Sequence, residues 1–358
     1  MAASPYAVAL GRLRSDFPAF FSPETFAQLL ATRDLDALLQ FLESTPYGPE
    51  VNQARATHQG IALVEIALNR TLIRRNHLAW AATPFAGRAA VGAYLRRWDL
   101  ENLELIFASR LEGRTVSETD DHLISSRERP AGLAGGVLTL DDYRALLEQP
   151  TVEALASALV RFGYGATILP LVEEFRRTRD IFPLRFALEA DYYRTVLDAL
   201  KFFQGDEGIV RRFVQSEIDV RNELVALKGK LAELPFDRVA VRFIDGGTLA
   251  RSTFEEWYAS GGLPALLDRI GSTLAPPAPL ADVYRASDGL AEVEAILWRE
   301  RARAEFARLR SFPLSLSVIF AYLLRAELEW RDVRRIAFAR LYGVPREKVE
   351  PLLVVPRL

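Results

Sequence analysis

Between Leu314 and Leu324 nearly every residue is apolar or small. Beyond Arg325 charged residues alternate with Leu328, Val333, Ile336, Phe338 and Leu341. That pattern predicts one long helix within Phe312–Gly343, buried on all sides in its first half and on one face in its second. Pro313 suits the first turn, where a missing N–H leaves no bond unmade. Gly343 fits the left-handed residue that ends a helix, and Pro345 a stop. The apolar run is about half of what a bilayer crossing needs, so the segment is a core helix.

Helical periodicity dominates the rest of the chain. Ser22, Pro23 and Glu24 open a helix with Phe26, Leu29 and Leu30 on one face. Asp34 opens a second, with Leu35, Leu38, Leu39 and Leu42 inward, ending near Thr45–Pro46–Tyr47–Gly48. Two longer patterns follow, Ile61–Trp80 and Phe85–Leu111, broken at Thr83–Pro84. Only Arg238–Ile244 alternates as a strand does, and one short strand makes no sheet.

The pattern repeats. A shift of 117 residues lays Ser22–Gly48 on Thr139–Gly165 without a gap, with seven identities that include Leu29/Leu146, Leu42/Leu159, Tyr47/Tyr164 and Gly48/Gly165. The helix-opening residues Ser22 and Asp34 fall on Thr139 and Thr151. A further shift of 111 lays Gly135–Gly136–Val137–Leu138 on Gly246–Gly247–Thr248–Leu249, and Tyr143 on Phe254. The unit is about 115 residues long: two short helices, then a long helical hairpin. The expected organisation is three homologous all-α bundle domains, near 1–115, 116–234 and 235–358.

One polar pattern recurs with the unit. Asp99, Asn102 and Arg110 correspond to Asp219, Asn222 and Lys230, and then to Glu329, Asp332 and Arg340. Offsets of three and eleven residues fall within about 80° on a helix, so each triplet forms one stripe. The base lies too far along to meet the acid, so its partner must come from another helix. The stripe reads as a buried seam that fixes helix register, or as a repeated surface for a partner. Neither spacing nor residue choice suits metal ligation.

Composition narrows the chemistry. The net charge is −2 over 358 residues, which gives no general pull toward nucleic acid or anionic lipid. There is no cysteine, so disulfides, thiolate metal sites and cysteine nucleophiles are excluded. Arginine outnumbers lysine 41 to 4, which reads as coding composition rather than function. The first residues lack a signal-peptide core, so a cytoplasmic protein is expected. Asp120–Asp121–His122 has no second acidic cluster at helical spacing and reads as a solvated loop. His58 and His77 lack metal-type companions. Gly132, Gly135 and Gly136 precede no P-loop lysine, and Asn69–Arg70–Thr71 would be a glycosylation site only in a secreted protein. Arg299–Arg310 is interleaved with Glu300 and Glu305 and reads as a solvated helix face, not a nucleic-acid surface.

Several stretches together resemble a known family. They are Tyr6 with Arg12 and Arg14, LLQFLESTPYG at 38–48, DLENLELIFASR at 99–110, EIDVRNELVALKGK at 217–230, FIDGGTL at 243–249, and the ending from Pro313 to Val355. The chain resembles the C subunits of archaeal and bacterial V/A-type rotary ATPases, related to the d subunit of the eukaryotic vacuolar enzyme. The resemblance covers essentially the full length and implies three helical domains in a pseudo-threefold funnel. It implies no active site, no cofactor and no metal. The implied role is to couple central-stalk subunits to the membrane proteolipid ring, on the cytoplasmic side of the membrane, without a transmembrane segment. The competing expectation is a soluble helical-repeat scaffold unrelated to an ATPase. A helical metal-dependent enzyme is more remote.

Overall fold

The computed structural model describes residues 4–116, 119, 123, 138–203, 208–287 and 289–357. All regular structure among them is helical. The chain begins with α1 (Tyr6–Asp16), α2 (Pro23–Leu30), α3 (Leu35–Glu43), α4 (Gly48–Ala54) and α5 (Gly60–Ala82). Next come α6 (Arg88–Leu95), α7 (Arg97–Glu112), α8 (Leu140–Leu147), α9 (Val152–Ala158), α10 (Gly165–Thr178) and α11 (Phe182–Ala199). A third run holds α12 (Gly208–Leu231), α13 (Phe236–Ala240), α14 (Arg251–Ala259), α15 (Leu263–Thr273), α16 (Leu280–Ser287) and α17 (Leu290–Arg310). The chain closes with α18 (Ser317–Leu341) and α19 (Arg346–Val349).

Packing interlocks the repeats. Helix α7 ends one repeat but packs on α8 and α9 of the next, and α12 likewise packs on α14 and α15. Helix α18 instead packs on α1, α3 and α5 at the start of the chain. The two ends of the chain therefore share one core, in which Ala9, Phe26, Leu38, Val64, Ile319 and Val355 are buried together. A second core gathers Leu103, Ile106 and Phe107 of α7 with Tyr143 and Leu155. A third gathers Val220 and Leu224 of α12 with Phe254 and Leu267.

The short helices form where their caps allow. Ser22 Oγ accepts from the Thr25 N–H at 3.2 Å, and Asp34 Oδ1 from Ala37 at 2.8 Å. In the second repeat Thr139 caps α8 in a reciprocal pair with Asp142, and Thr151 caps α9. The third repeat has Ala250 and Gly262 at these positions, without side-chain caps.

All three helices that carry a polar triplet end the same way. The backbone turns left-handed at Gly113 (φ 71°), Glu233 (φ 52°) and Gly343 (φ 63°). The next N–H then reaches back: Arg114 to Ser109 O at 2.9 Å, Leu234 to Gly229 O at 2.9 Å, and Val344 to Ala339 O at 2.8 Å. This is the Schellman closure, and it satisfies carbonyls that the helix leaves open.

Three expectations need correction. Helix α18 starts at Ser317, and Pro313 lies in the turn before it rather than in the first helical turn. The stretch Phe85–Leu111 is not continuous: Arg96 tightens to a bond with Ala93 O and divides α6 from α7. Arg238–Ile244 is no strand but α13 and a turn. Asn222 takes both backbone groups of Ile244, Nδ2 donating to the carbonyl at 2.9 Å and Oδ1 accepting from the N–H at 2.8 Å. A side chain thus supplies what a neighbouring strand would.

Of the three triplet helices only that of Glu233 ends without glycine here, and the left-handed conformation costs an L-residue roughly 1–2 kcal/mol. Glu233→Gly recovers part of this, less the extra freedom of glycine in the unfolded chain. The expected gain is about 0.5–1 kcal/mol in denaturant unfolding. An unchanged midpoint would show that the turn is relaxed with glutamate.

Candidate functional site

The three triplets are placed by the helices that carry them, and each holds segments packed beside its helix. Glu329 is buried and accepts from Phe21 N–H at 2.7 Å, Tyr47 OH at 2.9 Å and Arg75 Nη1 at 2.8 Å. Asp219 is buried and accepts from the N–H groups of Thr248 and Leu249, both at 2.8 Å, and from the Thr248 hydroxyl. Phe21 and Leu249 are equivalent repeat positions, offset by the sum of the two shifts (117 + 111 = 228). Gly247 lets the backbone come this close, because a Cβ there would sit 2.3 Å from Asp219 Oδ1. Asp99 is buried and accepts from the Tyr143 hydroxyl, which also meets Asn102. Burial and the adjacent Asp99 push the Tyr143 hydroxyl well above the usual phenol range.

Two of the middle members act alike. Asp332 Oδ2 accepts from Val354 at 2.9 Å and Val355 at 2.7 Å, and Asn222 holds Ile244; both reach 22 residues forward. Burial pushes Asp332 up to about 6, against the pull of Val355, Arg335 and Val354. The bases span two helix ends. Arg340 donates to Leu30 O at 2.7 Å and Val344 O at 3.5 Å, and Arg110 to Gln149 O at 3.4 Å and Arg114 O at 2.5 Å. Lys230 instead lies over the Tyr258 ring at 4.4 Å, and the Tyr258 hydroxyl donates to Leu234 O at 2.6 Å. Tyr258 occupies the repeat position of Leu30, so the opposite wall supplies the bond that a shorter cation does not.

A second constellation lies where α7, α12 and α18 meet. Arg97, Glu217 and Glu327 each sit two residues before the acid of their triplet, and their side chains converge. Arg97 Nη2 donates to Glu217 at 2.8 Å and Nη1 to Glu327 at 2.5 Å. The hydroxyls of Tyr94 and Tyr192 accept from the same guanidinium at 2.6 and 3.2 Å. Toward the amino ends, Tyr94 at the end of α6, Phe213 one turn before Glu217 and Phe320 two turns before Glu327 form a closed aromatic layer with centroids 4.9–6.1 Å apart. One turn the other way come Glu101, Arg221 and Arg331, with Arg331 2.9 Å from Glu327 and Arg221 3.1 Å from Glu189. The two charged levels follow in the same order on α7, α12 and α18, which therefore run parallel. Beyond them opens a polar cavity of about 350 Å³ lined by Glu101, Glu104, Arg185, Arg221 and Trp330, beside a second of about 440 Å³.

Burial pushes the Glu217 carboxyl up even against Arg97. Burial acts on Glu327 too, but Arg97 and Arg331 together outweigh it and hold that carboxyl below its ordinary value. Away from the axis, burial pushes Glu223 of α12 up to about 7, although Arg301 lies 2.7 Å from it. No group of His, Asp and Glu among the described residues could hold a metal ion. The stretches Asp120–Asp121–His122 and Gly132–Gly136 lie outside the described residues. Of the arginine-rich run, Arg301 pairs with Glu223, Arg303 with Glu300 and Arg308 with Glu305, so much of it is tied down rather than merely solvated.

The axial cluster is hard to find along the chain although its signal is present there. Its members recur at the repeat spacing but differ in sign, Arg, Glu and Glu, and a search for like residues passes over them. What the arrangement does is mechanical: it joins three helices in a fixed register.

Two outcomes follow. Arg97→Leu strands two buried carboxylates and is expected to cost about 3–5 kcal/mol, whereas Arg97→Leu with Glu217→Leu and Glu327→Leu restores most of that loss in denaturant unfolding. Equal loss in both variants would mean that the cluster stabilises by more than charge compensation. Glu223 binds its proton more tightly folded than unfolded, so its contribution is full below about pH 4.5 and is lost as pH rises through about 7. Glu223→Gln should therefore gain stability relative to the native chain between pH 5 and pH 8, on the order of 2 kcal/mol, read from paired thermal melts. A pH-independent difference would contradict the raised value.

No described helix is long and apolar enough to cross a membrane. Residues 9–352 match the family described as ATP synthase (C/AC39) subunit. The chain is 34% identical over 351 residues to the C subunit of the A-type ATP synthase from Thermoplasma acidophilum, covering 98% of each. It is 32% identical over 352 residues to the C subunit from Thermoplasma volcanium, again covering 98% of each. To the C subunit from Haloferax volcanii it is 29% identical over 361 residues, covering 97% of this chain and 96% of the other. This extent of similarity, over a repeat whose polar seams and axial layers run the length of the molecule, shows that the chain belongs to the ATP synthase (C/AC39) subunit family.

Proposed function

We propose that the chain is a non-catalytic coupling component of an A-type ATP synthase, linking the central stalk to the membrane proteolipid ring from the cytoplasmic side. In this reading the three homologous units, near 1–115, 116–234 and 235–358, form a pseudo-threefold funnel. The observation that carries it is the convergence of Arg97, Glu217 and Glu327, three equivalent positions, on one line of contact between parallel helices. A rotor part must pass torque between a single shaft and a ring of identical subunits. Close-packed helices joined by buried ion pairs deform little under such load.

The two ends of the axis differ. The end beyond Glu101, Arg221 and Arg331 opens into polar cavities and suits the tip of a shaft. The end sealed by Tyr94, Phe213 and Phe320 is closed and suits the ring. With a net charge of only −2, attachment to the shaft must rest on local patches in which arginine forks meet carboxylates.

The purified protein is expected to bind isolated central-stalk subunits in solution, without detergent, with a Kd in the micromolar range or below. Moderate salt should weaken it by screening the exposed rim. The same protein should hydrolyse no ATP alone. A titration of folded components with no association in either buffer would favour a helical scaffold outside the ATPase; measurable turnover by the isolated protein would end the non-catalytic reading.

A further inference from the structure

We propose that the closed end of the axis seats on an anionic lipid surface through Phe85, Phe202 and Leu314, an inference that rests on assigning that end to the membrane ring. The three residues lie in the three equivalent connections that lead into α6, α12 and α18. Because those helices share the order of their layers, their amino ends lie together, past the aromatic layer. Two independent contacts tie the neighbouring segments to the same end. Ser4 Oγ donates to Leu314 O at 2.9 Å, and a Cβ on Gly87 would touch the Leu316 side chain.

These tips face solvent: Phe85 is 90% exposed, Phe202 82% and Leu314 53%. Val8, on the helix that starts beside Leu314, is exposed with them. An exposed phenylalanine has no role in the packing of its own chain, and three apolar tips at one end of an axis mark a contact surface. Each has an exposed base within four residues: Arg88, Lys201 and Arg310. Lys201 Nζ lies 5.0 Å from the Phe202 ring. Apolar tips ringed by cations are the chemistry of an interfacial membrane contact, in which rings enter the acyl boundary and bases meet phosphates. Asp198 is an exposed carboxylate a turn before Phe202, and Asp206 and Glu207 lie outside the described residues.

Geometry also favours lipid over the proteolipid loops. The helices behind the tips touch on the axis, so the tips stand close to it rather than out over a ring wall. Three tips would also need a matching register on a ring of identical subunits, whereas a fluid surface accepts any register.

The test is sedimentation of the full-length protein with vesicles of phosphatidylcholine containing about a quarter phosphatidylglycerol, alongside pure phosphatidylcholine. The native protein should bind the anionic vesicles and bind the neutral ones about tenfold more weakly. Phe85→Asp with Phe202→Asp and Leu314→Asp should lower partitioning about tenfold or more, as should Arg88→Glu with Lys201→Glu and Arg310→Glu. Val241→Asp, exposed and remote from this end, should not. All substituted residues are exposed, and matching thermal melts check that each variant folds. No binding of the native protein, or equal binding by the aspartate variant, overturns the proposal. Binding to a purified proteolipid ring without binding to vesicles also overturns it, while leaving the coupling role intact. Self-association abolished by the aspartate variant, with no vesicle binding, assigns the surface to a second copy instead.

Discussion

The structure turns on one arginine among two buried carboxylates. Three equivalent helix positions meet at the axis, and three like charges there could not all stay ionised in a site closed to water. The chain resolves this by departing from its own repeat. At the first level it places Arg97 against Glu217 and Glu327; one turn on it places Glu101 with Arg221 and Arg331. The signs on α7 are the reverse of those on the other two helices at both levels, so the six charges cancel. The reversal sets α7 apart from α12 and α18.

Around that axis the triplets fasten each repeat to the next. Most of the triplet side chains bond N–H and C=O groups of turns and helix ends that those segments cannot satisfy themselves. The last junction, between α18 and the N-terminal helices, joins the chain's two ends through Glu329 and Phe21, and Arg340 and Leu30. A linear chain is thereby closed into a loop of interlocked units. Their geometry resists relative movement of the repeats, which is what the proposed transmission of torque requires.

The helical class and the short-helix caps were legible along the chain, because both are written in local sequence. Ser22, Asp34, Thr139 and Thr151 cap the helices whose starts they mark, and Gly343 turns left-handed as a helix-ending glycine should. The start of α18 and the break at Arg96 were not legible, since tertiary packing sets both boundaries. Arg238–Ile244 misled for a related reason: its alternation reflects burial against α12, with Asn222 replacing a sheet partner.

The linear pattern therefore carries what lies within one repeat and what recurs between repeats. Periods of 3.6 and about 115 residues belong to the order of residues and need no fold to be seen. Which repeat touches which is settled by packing in three dimensions. The stripe of Glu329, Asp332 and Arg340 shows that the helix has a partner, but not that the partner lies some 300 residues away at Phe21 and Leu30. The axial cluster needed the fold even more. Arg97, Glu217 and Glu327 share no chemistry that a sequence comparison would group, and only their meeting in space makes them complementary.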